Sequence, residues 1–92
     1  MQGMNPEEEL TRAGYSLHTW SNGPGFWYPV HDHPYEKIIV VLKGSITFYL
    51  PADKREIVLN SGQRLELPQR TEHSATVGPE GVTCLEGQRS MF

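Results

Sequence analysis

The sequence predicts an all-β fold, a sandwich or small barrel, preceded by one short helix. Three observations lead there. Short apolar or alternating runs recur along the chain, punctuated by turns such as Asn22-Gly23-Pro24-Gly25 and Asn60-Ser61-Gly62. Ser45 to Leu50 alternates apolar and polar residues, the mark of a half-buried strand. No second helical pattern follows the first, which excludes a parallel α/β arrangement.

Asn5 to Gly14 reads as the helix. Asn5 caps it, Pro6 fits the first turn, and Glu7, Glu8 and Glu9 sit at the positive end of its dipole. Gly14 closes it in a left-handed conformation. So short a helix is not stable alone, so Leu10 and Ala13 must dock on something, such as the outside of a sheet. Strands are then expected at Tyr15–Trp20, Phe26–Val30, Ile38–Leu42, Ser45–Leu50, Arg55–Leu59, Arg64–Leu67, His73–Val77 and Val82–Glu86. Pro51-Ala52-Asp53-Lys54 and Gly78-Pro79-Glu80-Gly81 read as the loops between them.

Ile38-Ile39-Val40-Val41-Leu42 is apolar on both faces, whereas antiparallel sheets normally leave one face wet. One face can line an interior. The other needs cover, from the N-terminal helix or from a second subunit, and a homodimer is expected to supply part of it.

A chain of 92 residues makes one domain. It divides into an N-terminal helical segment, 1–14, and a β-barrel, 15–92. Folding a chain of this size buries only about 60–65% of the surface exposed when unfolded, so pairing with a second copy would help. The net charge is −3 with no basic stripe, which argues against nucleic acid as a partner. The longest apolar run, Ile38 to Leu42, is far too short to span a bilayer, so no membrane association is expected. No charged segment followed by an apolar one opens the chain, so no secretion signal is expected. Cys84 is the only cysteine, which excludes an internal disulfide and suits the cytoplasm.

The chemistry centres on His31-Asp32-His33. On an extended strand the two imidazoles share a face with one residue between them. His73 lies in a later segment that also reads as strand. Neutral imidazole ligates zinc, iron, copper and nickel, and three of them on one face of an ion leave other positions for water or substrate. Against this stands the plainer reading of a polar pocket that holds no ion.

Gly25, His31, His33, Lys37 and Gly44 stand at the spacing of the first motif of the cupin superfamily. Gly62, Pro68, Arg70 and His73 resemble its second motif, and Gly78 to Glu86 is similar to the closing strands of small single-domain cupins. The resemblance implies a double-stranded β-helix, a jelly-roll barrel with its site in the mouth. It places His31, His33 and His73 at three metal-ligand positions for a divalent transition metal: iron, manganese, zinc or nickel. It further implies a small organic ligand or substrate in the mouth, with dioxygenase or isomerase-type chemistry among the activities it admits. The alternative is a cupin that binds or senses a small molecule without metal or turnover. A third reading makes the histidines a polar core and the surface a site of assembly.

Three positions depart from the pattern. The usual glutamate ligand is Lys37, a usual glycine is Arg70, and a frequent asparagine is Val77. An ammonium beside a divalent cation is repelled by it. Lys37 is therefore a candidate general base or anion anchor, or simply one half of a salt bridge to a nearby carboxylate such as Glu66, should strand pairing align the two. Glu36 and Asp32 should point away from the barrel, by strand alternation.

Other residues are weaker candidates. Trp20, Phe26, Trp27, Tyr28 and Tyr35 line a cavity or merely pack. Tyr49 shares the parity of Ser45 and Thr47 and is expected to add a polar group to the lumen. Cys84 reads as a small buried residue, and His18 as a structural one.

Overall fold

The computed structural model describes residues 5–90; residues 1–4 and 91–92, included in the expected helical and barrel segments, lie outside the described residues. The order is α1 (Pro6–Arg12), β1 (Ser16–Asn22), β2 (Trp27–His31), β3 (Glu36–Leu50), β4 (Arg55–Asn60), β5 (Arg64–Leu67) and β6 (His73–Arg89).

β3 and β6 form the antiparallel spine, paired from Glu36↔Arg89 to Tyr49↔Ser74. Each contributes its two halves to different neighbours. The first half of β3 pairs with β5 and the second with β4. The second half of β6 pairs with β1 and the first with β2. Two four-strand arrays result, β1-β6-β3-β5 and β2-β6-β3-β4, sharing the spine strands. All pairing is antiparallel, and the all-β barrel expectation holds.

Two pairs of expected strands merge, and other strand ends shift by one to three residues. Ile38–Leu42 and Ser45–Leu50 are one strand, and so are His73–Val77 and Val82–Glu86. The chain bends at these points instead of stopping. The β3–β6 register shifts between Val41 and Lys43 and again between Gly44 and Ile46, where β6 passes from Val82 to Val77. The expected loop 78–81 is thus an excursion within β6. Gly44 makes the crossing feasible: its φ is +81°, and a Cβ there would overlap the carbonyl oxygen of Gly81.

The core lies between the arrays. Ile39, Val41, Ile46, Phe48, Leu50, Leu59, Leu67, Ala75, Val77, Val82 and Cys84 form one buried cluster, with members from both halves of each spine strand. A second cluster, Leu10 with Ile38, Val40 and Leu85, sits under α1. The outer face of the doubly apolar run is thus covered by the helix of the same chain.

The helix is fixed at both ends. Asn5 accepts from the Glu8 amide at 2.8 Å in a capping box. Arg64 on β5 makes a two-pronged contact with Glu9, at 2.9 and 3.1 Å. Arg89 donates to the Ala13 carbonyl at 2.5 Å and stacks over Tyr15 at 4.3 Å.

Strand parity corrects one expectation. Ile46, Phe48 and Leu50 face inward, which turns Ser45, Thr47 and Tyr49 outward; Tyr49 is 40% exposed and is not a lumen residue. No helix among the described residues is long and apolar enough to cross a membrane.

Candidate metal centre

The site is built at one end of the two arrays. His31 closes β2 and stands directly opposite His73, the first residue of β6. β2 ends at His31, so strand alternation does not govern His33. The loop to β3 holds that residue by other means. Its carbonyl accepts from the Arg70 amide at 2.7 Å, and its ring stacks on Tyr35, whose hydroxyl lies 3.2 Å from Nδ1. Arg70, at the position of a family glycine, adopts φ +63°, the left-handed backbone glycine would take. The departure in sequence therefore leaves the turn intact and ties the second motif to the first.

The three imidazoles lie together. Ring centroids are 4.3 Å apart for His31–His73, 4.8 Å for His31–His33 and 5.3 Å for His33–His73. One ligating nitrogen from each falls within 4.8 Å of the others. Nδ1 of His31 lies 2.6 Å from the Pro29 carbonyl and Nδ1 of His73 lies 2.9 Å from the Thr71 carbonyl. A carbonyl only accepts, so the proton sits on Nδ1 and the lone pair on Nε2. This is the arrangement that orients a metal-ligating histidine.

His73 is 2% exposed, and its Nε2 is buried without a hydrogen-bond partner among the described residues. Such an acceptor is costly unless something fills its lone pair. Burial, reinforced by the neighbouring charges, holds the His33 ring down to about 4, and burial likewise lowers His73. Both rings are neutral at pH 7, the form that ligates a metal. The donor set and its orphaned nitrogen fit a divalent ion of the imidazole-loving kind.

Lys37 faces into the barrel. Its Nζ is 3.4 Å from His33 Nε2 and 3.3 Å from Glu86 Oε1. The sequence reading offered Glu66 as a candidate salt-bridge partner, and that is corrected here. Glu66 pairs across from Ile38, one residue out of phase with Lys37, and is exposed on the outer side. Glu86, on β6, is the carboxylate inside. It accepts from Trp20 Nε1 at 2.9 Å and from Gln88 Nε2 at 2.9 Å, with His18 Nε2 at 3.8 Å. Sequence reasoning missed Glu86. The signal was present: it shares parity with Val82 and Cys84, both buried.

The remaining candidates separate cleanly. Trp20 and Tyr28 line the cavity beside the histidines, together with Ile39, Ile46, Phe48 and Ala75. Phe26 and Trp27 are 46% and 60% exposed and stand outside it. Asp32 points to the surface, 3.9 Å from Arg70, and Glu36 bonds Arg89 at 2.8 Å. Cys84 is buried, which pushes its thiol up to about 12 and leaves it inert.

Solved structures with the same fold include several cupin-domain proteins. A cupin-2 domain protein from Shewanella frigidimarina superposes with TM-score 0.69 at 16% identity, over 82% of this chain and 70% of that one. The lyase DddQ of Ruegeria pomeroyi, a DMSP lyase, gives 0.76 at 22% identity, over 85% of this chain and 39% of its own. The polyketide cyclase RemF of Streptomyces resistomycificus gives 0.71 at 26% identity, over 85% and 61%. The chain thus spans 39% and 61% of the two named enzymes, less than two thirds of each. No family model matches the sequence, and no curated protein matches it significantly. The fold is that of a small cupin, a jelly-roll barrel with three histidines grouped at its mouth.

Proposed function

We propose that this chain is a metal-binding cupin that holds a small organic molecule in the barrel mouth, with His31, His33 and His73 as the ligands. Two observations carry the reading: the buried, unpartnered Nε2 of His73, and the grouping of one ring nitrogen from each of His31, His33 and His73 within 4.8 Å. Glu86 is engaged by Trp20, Gln88 and Lys37, so among the described residues no buried carboxylate is left for the ion. Iron, zinc and nickel suit an all-imidazole face better than manganese does. Bound there, such an ion supplies Lewis-acid or dioxygen chemistry.

The chain's own residues do the rest. The Pro29 and Thr71 carbonyls orient two rings, Tyr35 and the Arg70 amide hold the third, and Trp20, Tyr28 and Phe48 exclude water. Lys37 is the side chain placed to meet a ligand. The named enzymes of the same fold, a lyase and a cyclase, show that the fold hosts chemistry on small molecules, and fold alone does not choose among reactions.

Metal analysis of untagged protein tests the proposal. We expect one transition-metal ion per chain, lost in His73→Ala, and an empty wild type refutes it. A second reading, a ligand-binding cupin without metal, is favoured by one observation: Lys37 Nζ sits 3.4 Å from His33 Nε2. Stabilisation by small ligands that chelators leave unchanged would support it.

We further propose that the helical segment 1–14 and the barrel 15–92 act as one unit in a cytoplasmic homodimer. The exposed Trp27, Val30 and Val58 are apolar surface for a second copy. A monomer at micromolar concentration by light scattering excludes the dimer.

A further inference from the structure

The two arrays differ on their outer faces. On β1-β6-β3-β5 the helix seals that face, with Leu10 against Ile38, Val40 and Leu85. On β2-β6-β3-β4 it is bare: Trp27, Thr76, Tyr49 and Val58 are all exposed. Strand register lays the bare face out in rows. Trp27, Thr76, Thr47 and Val58 stand abreast across the four strands. Ser74, Tyr49 and Glu56 form the next row, and Ser45 with Asn60 lies on the other side. The residues that alternate with them on the spine strands, Ile46, Phe48, Ala75 and Val77, are buried, which turns these rows outward.

The chemistry of this face is that of an interface, not of a solvated sheet. Its two central strands present only serine, threonine and tyrosine in these rows, and the one carboxylate, Glu56, stands on the edge strand. On the other array, by contrast, β5 turns Arg64 and Glu66 to the outside. A centre without charge, bordered by aromatic and β-branched side chains, marks a docking surface.

Charge and size select the occupant. The chain carries −3 overall, so two copies repel except through a face such as this one. The face offers no charge pattern to a partner of either sign. Four strands about 4.8 Å apart and three rows about 6.7 Å apart make a patch of roughly 400 Å² in projection. The relief of its side chains takes the accessible area towards the roughly 600 Å² per copy of a small, reversible interface. A two-fold axis along the spine, between Thr76 and Thr47, sets Trp27 of each copy over Val58 of the other. The largest side chain of the row then meets a β-branched one twice, and the two Glu56 carboxylates lie at opposite edges.

We propose that this face is the homodimer interface, with two copies packed sheet on sheet about that axis. This rests on the homodimer reading above and adds the face and the symmetry to it.

Light scattering across a dilution series tests it. Wild type should be a dimer at micromolar concentration and separate on dilution. Thr47→Lys sets an ammonium beside its own copy at the axis, too far from the rim to reach water, and should weaken the dimer at least about a hundredfold. Thr19→Lys, exposed on β1 of the other array, should leave it unchanged. Should Thr47→Lys fail to fold, fluorescence decides. Dilution of wild type should shift tryptophan emission to the red, and Trp27→Phe should lack that shift, because Trp20 stays packed against the core. A dimer that Thr47→Lys leaves intact, or one whose emission ignores dilution, overturns this inference and leaves the homodimer reading standing. Equal weakening by Thr19→Lys overturns it too. A wild type that stays monomeric at micromolar concentration removes both.

Discussion

Replacing Glu86 by glutamine isolates the ion pair inside the barrel. The substitution keeps shape and one acceptor for Trp20 Nε1 but removes the charge facing Lys37. Glu86 is 6% exposed at its side chain and Lys37 12%, so little water replaces the lost carboxylate. Stripping one partner from a buried pair costs about 3–5 kcal/mol. The retained hydrogen bond and the partial access of water to Lys37 bring the expected loss to roughly 2–3 kcal/mol. A domain of this size has only about 5–14 kcal/mol in total. The midpoint of thermal unfolding should therefore fall by roughly 10–20 °C. Circular dichroism on chelator-treated protein measures both, the free-energy loss by urea titration and the midpoint by a thermal melt. Lys37→Met and the double variant complete a cycle, whose coupling should exceed about 1 kcal/mol. Glu86→Gln within about 0.5 kcal/mol of wild type, or single effects that simply add, would show that the pair is not coupled as described.

Gly44→Ala should destabilise by more than about 3 kcal/mol, or prevent folding, because the new methyl overlaps the Gly81 carbonyl at a positive φ; urea unfolding or the soluble yield reads this. Arg70→Gly should stabilise by roughly 0.5–1 kcal/mol by relieving a left-handed arginine, since its exposed contact with Asp32 at 3.9 Å contributes little; a lower urea midpoint contradicts it. Acid should weaken the metal-free fold before its carboxylates titrate. The unfolded chain protonates histidine near pH 6.5, while burial holds folded His33 down to about 4. Stability is thus full above pH 6.5 and declines as pH falls towards 4, by roughly 1–3 kcal/mol once partial exposure is discounted. The urea midpoint should drop between pH 7.5 and 5 in wild type and less in His33→Gln; equal slopes refute the assignment.

The turns, the helix cap and most strand positions were legible from residue types alone, because glycine, proline and asparagine act locally. Asn5 and Gly14 bracket the helix for reasons contained in a few neighbouring residues. What was not legible depended on pairing. Gly44 and the Gly78–Gly81 segment look like chain reversals, yet they are bends, because their partners continue on both sides. Glu66 was a candidate partner for Lys37 on the condition that strand pairing aligned them. Only the register shows Glu66 opposite Ile38 and Glu86 turned inward. Tyr49 was read by its polar companions, whereas Ile46, Phe48 and Leu50 claim the inner face of that strand. The candidate histidines could be named from spacing. Their orienting carbonyls, Pro29 and Thr71, could not, since backbone acceptors carry no sequence signature.

The spine joins segments far apart in the chain, residues 36–50 with 73–89. Closing such a separation is slow, and nothing local rewards it in advance. His31 and His73 face each other only after that closure. On the proposed metal reading, ion capture by all three rings would be one of the last events of maturation, and a nascent chain that has not yet emitted β6 would have no trap to offer. Loading would then follow folding, so cobalt added during refolding should leave the early kinetic phases untouched and act only on the final one.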